Sequence, residues 1–108
     1  MTKHEAIDWL APRRTEMEAL LATLVNIDSF SYDKAGVDRV LDALAAFLSG
    51  PGVSLERIPV ADFGDAPKVT VAGKGGANAP VLMMGHCDTV FPTGTVEKRS
   101  YRAEGGRA

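Results

Sequence analysis

His86 and Asp88 are the pair of side chains whose types and spacing best suit chemistry in this sequence. They follow the apolar run VLMMG at 81–85, which predicts a buried strand. Because residues i and i+2 of a strand point to the same side, the imidazole and the carboxylate can face one another while Cys87 points away. A metal-bound histidine commonly donates its second N–H to a carboxylate. The pair therefore suits a metal ligand, His86, whose ring is oriented by Asp88.

Spacing alone leaves a purely structural interpretation open. His86 can equally be a strand-end histidine bonded to Asp88, with Asp88 as a turn residue, because His-x-Asp is a short pattern that often occurs by chance. Zinc also needs several further ligands, and the sequence shows no obvious set. Cys87 is a conceivable nucleophile, but the only histidine besides His86 is the distant His4. We therefore expect Cys87 to be a small buried side chain.

Helical periodicity precedes these residues along the chain. A short helical segment is predicted at 4–10, an amphipathic helix at 13–25 and a second one over 37–48 that ends before GPG at 50–52. The apolar faces consist of Met17, Leu20, Leu21 and Leu24 in the first amphipathic helix and of Val37, Val40, Leu41, Leu44 and Leu48 in the second. We expect both faces to belong to the core.

Strand-like runs follow at 53–60, 68–72 and 81–85. The glycine-rich link 73–80 is typical of a hairpin, which would make the second and third runs antiparallel neighbours. A strand that is apolar at every position lies at the centre of a sheet covered on both faces. Since the predicted elements are too few to cover such a strand and the pattern at 100–108 stops in mid-course, we interpret the chain as part of a larger α/β domain.

The aspartates of the turn-rich segments are expected to have no special role. Asp33, Asp62 and Asp65 lie among turn-forming residues, where solvated carboxylates are common.

Composition excludes several classes of protein. The 108 residues are 45% hydrophobic and 24% charged, with a formal charge of −2, which is typical of a soluble globular domain. The basic residues are scattered, so we expect neither a nucleic-acid nor a membrane partner. The sequence shows no signal peptide and no membrane span, and its single cysteine cannot form an internal disulfide. A cytoplasmic location is expected.

The segment MGHCDTVFPTGT at 84–95 resembles the first metal-binding motif of the M20 metallopeptidases, in particular their glutamate carboxypeptidase branch. The upstream order is similar too, with a helix that ends in LVNIDSFS at 24–31. The segment 96–108 resembles the lead into the family's next motif, Y-G-x-G-x-x-D. The resemblance implies the N-terminal part of a zinc-exopeptidase-type α/β domain, with three layers and a mixed central sheet flanked by helices.

The same resemblance implies roles for the chemical pair. His86 would be a ligand to one of two zinc ions, and Asp88 would be the catalytic-site residue that holds its imidazole. The remaining ligands and the general base would follow Ala108, so the chain alone is expected to be inactive and to bind zinc weakly. The family's reaction is hydrolysis of an amide bond to a C-terminal amino acid such as glutamate, in a small peptide or an N-acyl amino acid, by a homodimer.

Two questions stay open at this point. Acetylornithine deacetylase-like and succinyl-diaminopimelate desuccinylase-like relatives share the same first motif, so the substrate is not determined. A non-catalytic alternative is a truncated product or interaction module whose exposed sheet edge associates with another chain.

Overall fold

The computed structural model describes residues 2–75 and 79–108. Its helices are α1 (Lys3–Leu10), α2 (Arg14–Val25), α3 (Lys34–Leu48) and α4 (Thr95–Lys98), its strands are β1 (Val53–Ile58) and β2 (Ala66–Val71), and one 3-10 turn (Ala11–Arg13) joins α1 to α2. The chain thus mixes helices and strands, as expected. The helices predicted at 4–10, 13–25 and 37–48 are confirmed, whereas α4 was not predicted. None of the helices in this described part is long and apolar enough to cross a membrane.

Helix α3 supplies the small apolar core. Asp33 caps its first turn, because the carboxylate accepts a hydrogen bond from the Gly36 N–H at 3.0 Å. The buried apolar residues are Val37, Val40 and Leu41, which follow the helical spacing of the face predicted from sequence. The prediction that this face belongs to the core is therefore confirmed for its first half.

The corresponding prediction for α2 is wrong. Met17 and Leu21 are exposed, and Leu20 and Leu24 are only half-buried. Of the described elements, α2 contacts α3 and the adjoining turn Ala11–Arg13, which cover part of its apolar face and leave the rest open to solvent. A helical apolar face indicates suitability for burial, but a second layer has to be present to bury it.

Strands β1 and β2 form a two-stranded antiparallel sheet. Val53 pairs with Val71 at one end and Ile58 pairs with Ala66 at the other. The second predicted run thus pairs with the first run and not with the third, which corrects the hairpin expected across 73–80. Part of that link, 76–78, lies outside the described residues.

The third predicted strand is also wrong. Residues 81–85 form no strand, and their four large apolar side chains are between 81% and 89% exposed. An extended segment becomes a strand only when a neighbour pairs with its backbone, and the two strands that the structure describes pair with each other. The expected buried central strand is therefore an exposed apolar segment in this chain.

Asp65 is the centre of an ion-pair network and not the solvated turn residue that was expected. Its carboxylate accepts hydrogen bonds from the Lys34 ammonium at 2.7 Å and the Arg57 guanidinium at 2.9 Å, which joins α3 to β1. The Lys34 hydrogen bond is the main reason why the pKa of Asp65 falls to about 2, and the Val60 N–H contributes as well. Asp62 is exposed, in agreement with the expectation.

Candidate functional site

The structure places the His86 ring against Asp88. Nδ1 of His86 lies 3.0 Å from Oδ1 and 2.9 Å from the backbone oxygen of Asp88. Both oxygens can only accept when the carboxylate is ionised, so Nδ1 carries the proton and Nε2 carries the lone pair. The His86 side chain is 82% exposed. When the ring is neutral, Nε2 is thus an accessible acceptor nitrogen, which is the form of histidine that binds a metal ion.

Ser31 holds the other side of the Asp88 carboxylate. The Ser31 hydroxyl donates to Oδ2 of Asp88 at 2.6 Å and lies 3.1 Å from the carbonyl oxygen of Thr89. The pKa of Asp88 lies below its ordinary value, chiefly because of this hydrogen bond and also because of the one from His86. Asp88 is therefore ionised at neutral pH, as a partner of a metal-bound imidazole must be.

A backbone bridge places Ser31 beside Asp88. The Ser31 N–H donates to the Thr89 carbonyl at 3.0 Å, and the Thr89 N–H donates to the Ser29 carbonyl at 2.8 Å. Phe30 and Thr89 thereby form an isolated parallel bridge. The 26–33 loop, which joins α2 to α3, is thus paired with the backbone directly after the His-x-Asp pattern.

Polar side chains of the 26–33 loop fasten the chain further along. The Asp28 carboxylate accepts from the N–H groups of Gly94 at 2.9 Å and Val96 at 3.1 Å, at the first turn of α4. The Asp33 carboxylate accepts from the Thr93 hydroxyl at 2.9 Å. In addition, the side-chain oxygen of Asn26 accepts from the Tyr101 N–H at 2.7 Å. One loop therefore positions the whole stretch from Asp88 to Tyr101.

Gly36 lets this loop approach α3. A Cβ atom on Gly36 would lie 2.3 Å from the carbonyl oxygen of Asp28 and 2.9 Å from Oδ2 of Asp33. Only glycine permits this approach, so the loop rests directly on the first turn of α3.

Cys87 has the properties of a structural thiol. Its side chain is half-buried, and burial together with the nearby Asp88 charge raises its pKa. A thiol with a raised pKa stays protonated at neutral pH and is a poor nucleophile. The expectation of a small buried side chain is confirmed in part, because the Cys87 side chain is half-buried.

Two open grooves share His86 and Cys87 in their linings. Each has a volume of about 570 Å³. One groove continues over α2 and α3 to Phe91, and the other continues to Phe63 and Asp65. The segment that carries the candidate ligand therefore borders both grooves.

The donor set fits one metal ligand and its orienting carboxylate. Among residues 2–75 and 79–108, no three His, Cys, Asp or Glu side chains come together in a way that could hold a metal ion. His86 offers one imidazole nitrogen, and a zinc site needs about four ligands. The metal and catalytic roles of His86 and Asp88 stay predictions.

Sequence reasoning brought His86 and Asp88 together but missed their supports. Ser31, Asp28 and Asn26 lie in a loop with no periodic signal, and their partners are distant in sequence. The resemblance over 24–31 to the same family was a signal that could have linked this loop to the motif at 84–95.

Comparison with known proteins identifies a carboxypeptidase as a relative. The chain is 34% identical over 90 residues to carboxypeptidase G2 of Pseudomonas sp. (strain RS-16), and the match covers 82% of this chain but 21% of that protein. The chain thus spans about a fifth of the length of the relative that it matches. No family model matches the chain, and no solved structure matches it significantly. The comparisons therefore show similarity to one part of a carboxypeptidase.

Proposed function

We propose that residues 1–108 are the N-terminal part of the catalytic domain of a zinc-dependent M20-type carboxypeptidase or deacylase. The observation that carries the proposal is the His86–Asp88 pair, in which the carboxylate holds Nδ1 and leaves Nε2 accessible. The pair lies within a segment that resembles the first M20 metal motif. The similarity to carboxypeptidase G2 over most of the chain supports the same function.

The residues of this chain have positioning roles in the proposed enzyme. His86 would hold zinc through Nε2, and Asp88 would fix the ring and keep Nδ1 protonated. Zinc, when bound, lowers the pKa of a water molecule and polarises the scissile carbonyl. The further ligands and the general base would come from residues outside 1–108, in a three-layer domain with a mixed central sheet.

The proposed substrate is a small peptide or an N-acyl amino acid, with the scissile amide next to a terminal amino acid such as glutamate. We place the complete protein in the cytoplasm as a homodimer that binds neither nucleic acid nor membranes. The substrate and the homodimer extend the resemblance of the 84–95 segment.

Zinc titration of the 108-residue chain tests the ligand role. We expect weak binding that perturbs the NMR signals of the His86 ring and is lost in His86→Ala. His4→Ala is the matched control, because it removes the other histidine and should leave that binding intact. Absence of any zinc effect at His86 would contradict the ligand role. Tight, stoichiometric zinc with turnover of an acyl-glutamate would instead show that the chain is sufficient, against the proposal that it is a part.

The coding sequence beyond codon 108 gives a second test. An aspartate in a Y-G-x-G-type run, followed by a Glu-Glu pair, is expected. The full product should then hydrolyse acyl-glutamates, and His86→Ala should abolish the activity. A stop codon directly after Ala108 would overturn the enzyme proposal.

A second candidate function is supported by the exposed segment 81–85. A non-catalytic interaction module would use this apolar segment to bind another chain, since large exposed apolar patches commonly mark interaction sites. Amide exchange separates the two candidates. A genuine module should be monodisperse and protected from exchange along 81–85, whereas part of an enzyme domain should aggregate or exchange quickly there.

A further inference from the structure

We propose that Ser31 is a positioning residue for His86: its hydroxyl fixes the Asp88 carboxylate, and the carboxylate in turn selects the ring orientation and tautomer of His86. The inference rests on the proposed function in one respect: zinc binding is what the Nδ1–H tautomer would serve. Its test, however, can be read without zinc.

The two oxygens of Asp88 have separate partners. Oδ1 accepts from Nδ1 of His86 at 3.0 Å, and Oδ2 accepts from the Ser31 hydroxyl at 2.6 Å. A carboxylate with one partner can rotate about its Cβ–Cγ bond, because that torsion is broad and nearly two-fold. The second partner restricts the rotation, so Oδ1 stays directed at the imidazole.

The His86 ring depends on this contact more than a buried ring would. At 82% exposure, it has little packing to hold its orientation. Its hydrogen bonds to Asp88 are the only ones described for the ring in this part of the chain. Water competes for an exposed N–H, so a carboxylate that is already oriented adds to the backbone oxygen of Asp88 in holding the Nδ1–H tautomer.

Ser31 itself is placed by the backbone. The bridge between 29–31 and Thr89 uses main-chain N–H and carbonyl groups, and the Ser31 hydroxyl is an addition to it. Removal of the hydroxyl should therefore leave the main-chain bridge formed and act chiefly on Asp88, with loss of the longer 3.1 Å contact to the Thr89 carbonyl. This separation makes a positioning role testable apart from a structural one.

The test measures the tautomer of His86 in the metal-free chain by long-range ¹H–¹⁵N correlation. The measurement is made at about pH 8.5, where an ordinary histidine is neutral and its two tautomers can be distinguished. We expect mainly the Nδ1–H tautomer in the wild type and a shift towards Nε2–H in Ser31→Ala. Ser31→Thr keeps a hydroxyl and should restore the wild-type population. Asp88→Ala should give the largest shift, and Ser54→Ala, an exposed serine of β1, should give none.

A zinc titration adds a second measurement. Loss of a hydrogen-bonding partner behind a metal ligand typically weakens metal affinity 10–100-fold, so Ser31→Ala, one contact further away, should weaken zinc binding at His86 by roughly tenfold. If zinc does not bind His86 but the tautomer shifts as expected, the proposed function fails and the Ser31 inference stands.

Two results would overturn the inference. One is an unchanged tautomer population in Ser31→Ala while the Thr89 amide signal shows that the bridge is intact. The other is loss of the bridge in Ser31→Ala, because the hydroxyl would then be a structural tie between loop and strand end.

Discussion

The two segments on either side of His86 are held in opposite ways. Residues 81–85, before it, have no strand partner in the described part of the chain and expose their apolar side chains. Residues 88–101, after it, are bound to the 26–33 loop by a backbone bridge and by hydrogen bonds from four side chains of that loop. The change from the exposed segment to the hydrogen-bonded segment occurs at the candidate site.

This difference shows from which side the site is organised. Asp88 belongs to the fastened segment, and His86 is held through Asp88. The apolar run that made the sequence pattern conspicuous contributes no strand pairing to the position of His86. Hydrogen bonds of the 26–33 loop therefore position Asp88 and, through it, His86. The apolar run 81–85 is instead an exposed surface.

The largest expected effect comes from forcing the 26–33 loop away from α3. In Gly36→Ala the new Cβ would lie 2.3 Å from the Asp28 carbonyl oxygen, so the backbone has to move. We expect a loss of about 3 kcal/mol in the free energy of unfolding, comparable with overpacking of a core. Urea denaturation measures this loss, and the amide signals of Gly94 and Val96 report whether Asp28 has withdrawn.

Gly50→Ala is the matched control for that substitution. A Cβ atom on Gly50 would have no atom within 4 Å, so its stability should change by no more than about 0.5 kcal/mol. Equal effects of the two substitutions would contradict the close approach between loop and helix.

Acid should next weaken both the hydrogen bonds of the 26–33 loop and the ion pairs between α3 and β1. The pKa values of Asp33 and Asp65 lie below their ordinary range, that of Asp65 at about 2, chiefly because of the Gly36 N–H for Asp33 and the Lys34 ammonium for Asp65. A depressed folded-state pKa stabilises the protein above the unfolded value of about 3.9, and this stabilisation is lost as the pH falls towards the folded value. The urea concentration at the midpoint of unfolding should therefore decrease as the pH is lowered from about 4 to about 2.

Asp65→Asn sharpens the acid prediction. The variant should be less stable than the wild type at pH 7 and should show a smaller decrease on acidification, because one titrating group is gone. The segment 81–85 has no ionisable side chain, so its amide protection should not change over the same range. An acid dependence as large in Asp65→Asn as in the wild type would contradict the role given to the Lys34 contact.

The sequence predicted the local features of this protein and missed the distant ones. Periodicity located the helices at 4–10, 13–25 and 37–48, because a helix forms its own backbone hydrogen bonds. It also placed His86 beside Asp88, since their spacing determines that contact. The contact of Ser31 with Asp88 spans 57 residues, and no local pattern specifies such a contact.

Burial was the property that the sequence predicted least well. The apolar faces of α2 and of 81–85 are as hydrophobic as core segments, but burial depends on which elements cover them. The prediction that Asp33 and Asp65 are solvated turn residues was wrong for a related reason. Asp33 and Asp65 have turn-like neighbours in sequence, but the partners that give them structural roles are mostly distant in the chain.

The smallest effect on stability is expected from the exposed segment itself. Leu82→Ser and Met84→Ser should change the free energy of unfolding by no more than about 0.5 kcal/mol, because neither side chain is packed in this chain. Leu41→Ala, at a core residue that is 3% exposed, should cost about 2–5 kcal/mol and serves as the contrast in the same denaturation series.

Sedimentation should show less self-association in both serine variants, because an exposed apolar segment is where chains adhere. A loss above about 2 kcal/mol in Leu82→Ser would mean that the segment is packed in solution, and the contrast across His86 would then disappear. Small stability changes together with reduced self-association would show that the apolar run is adapted to contact with another surface.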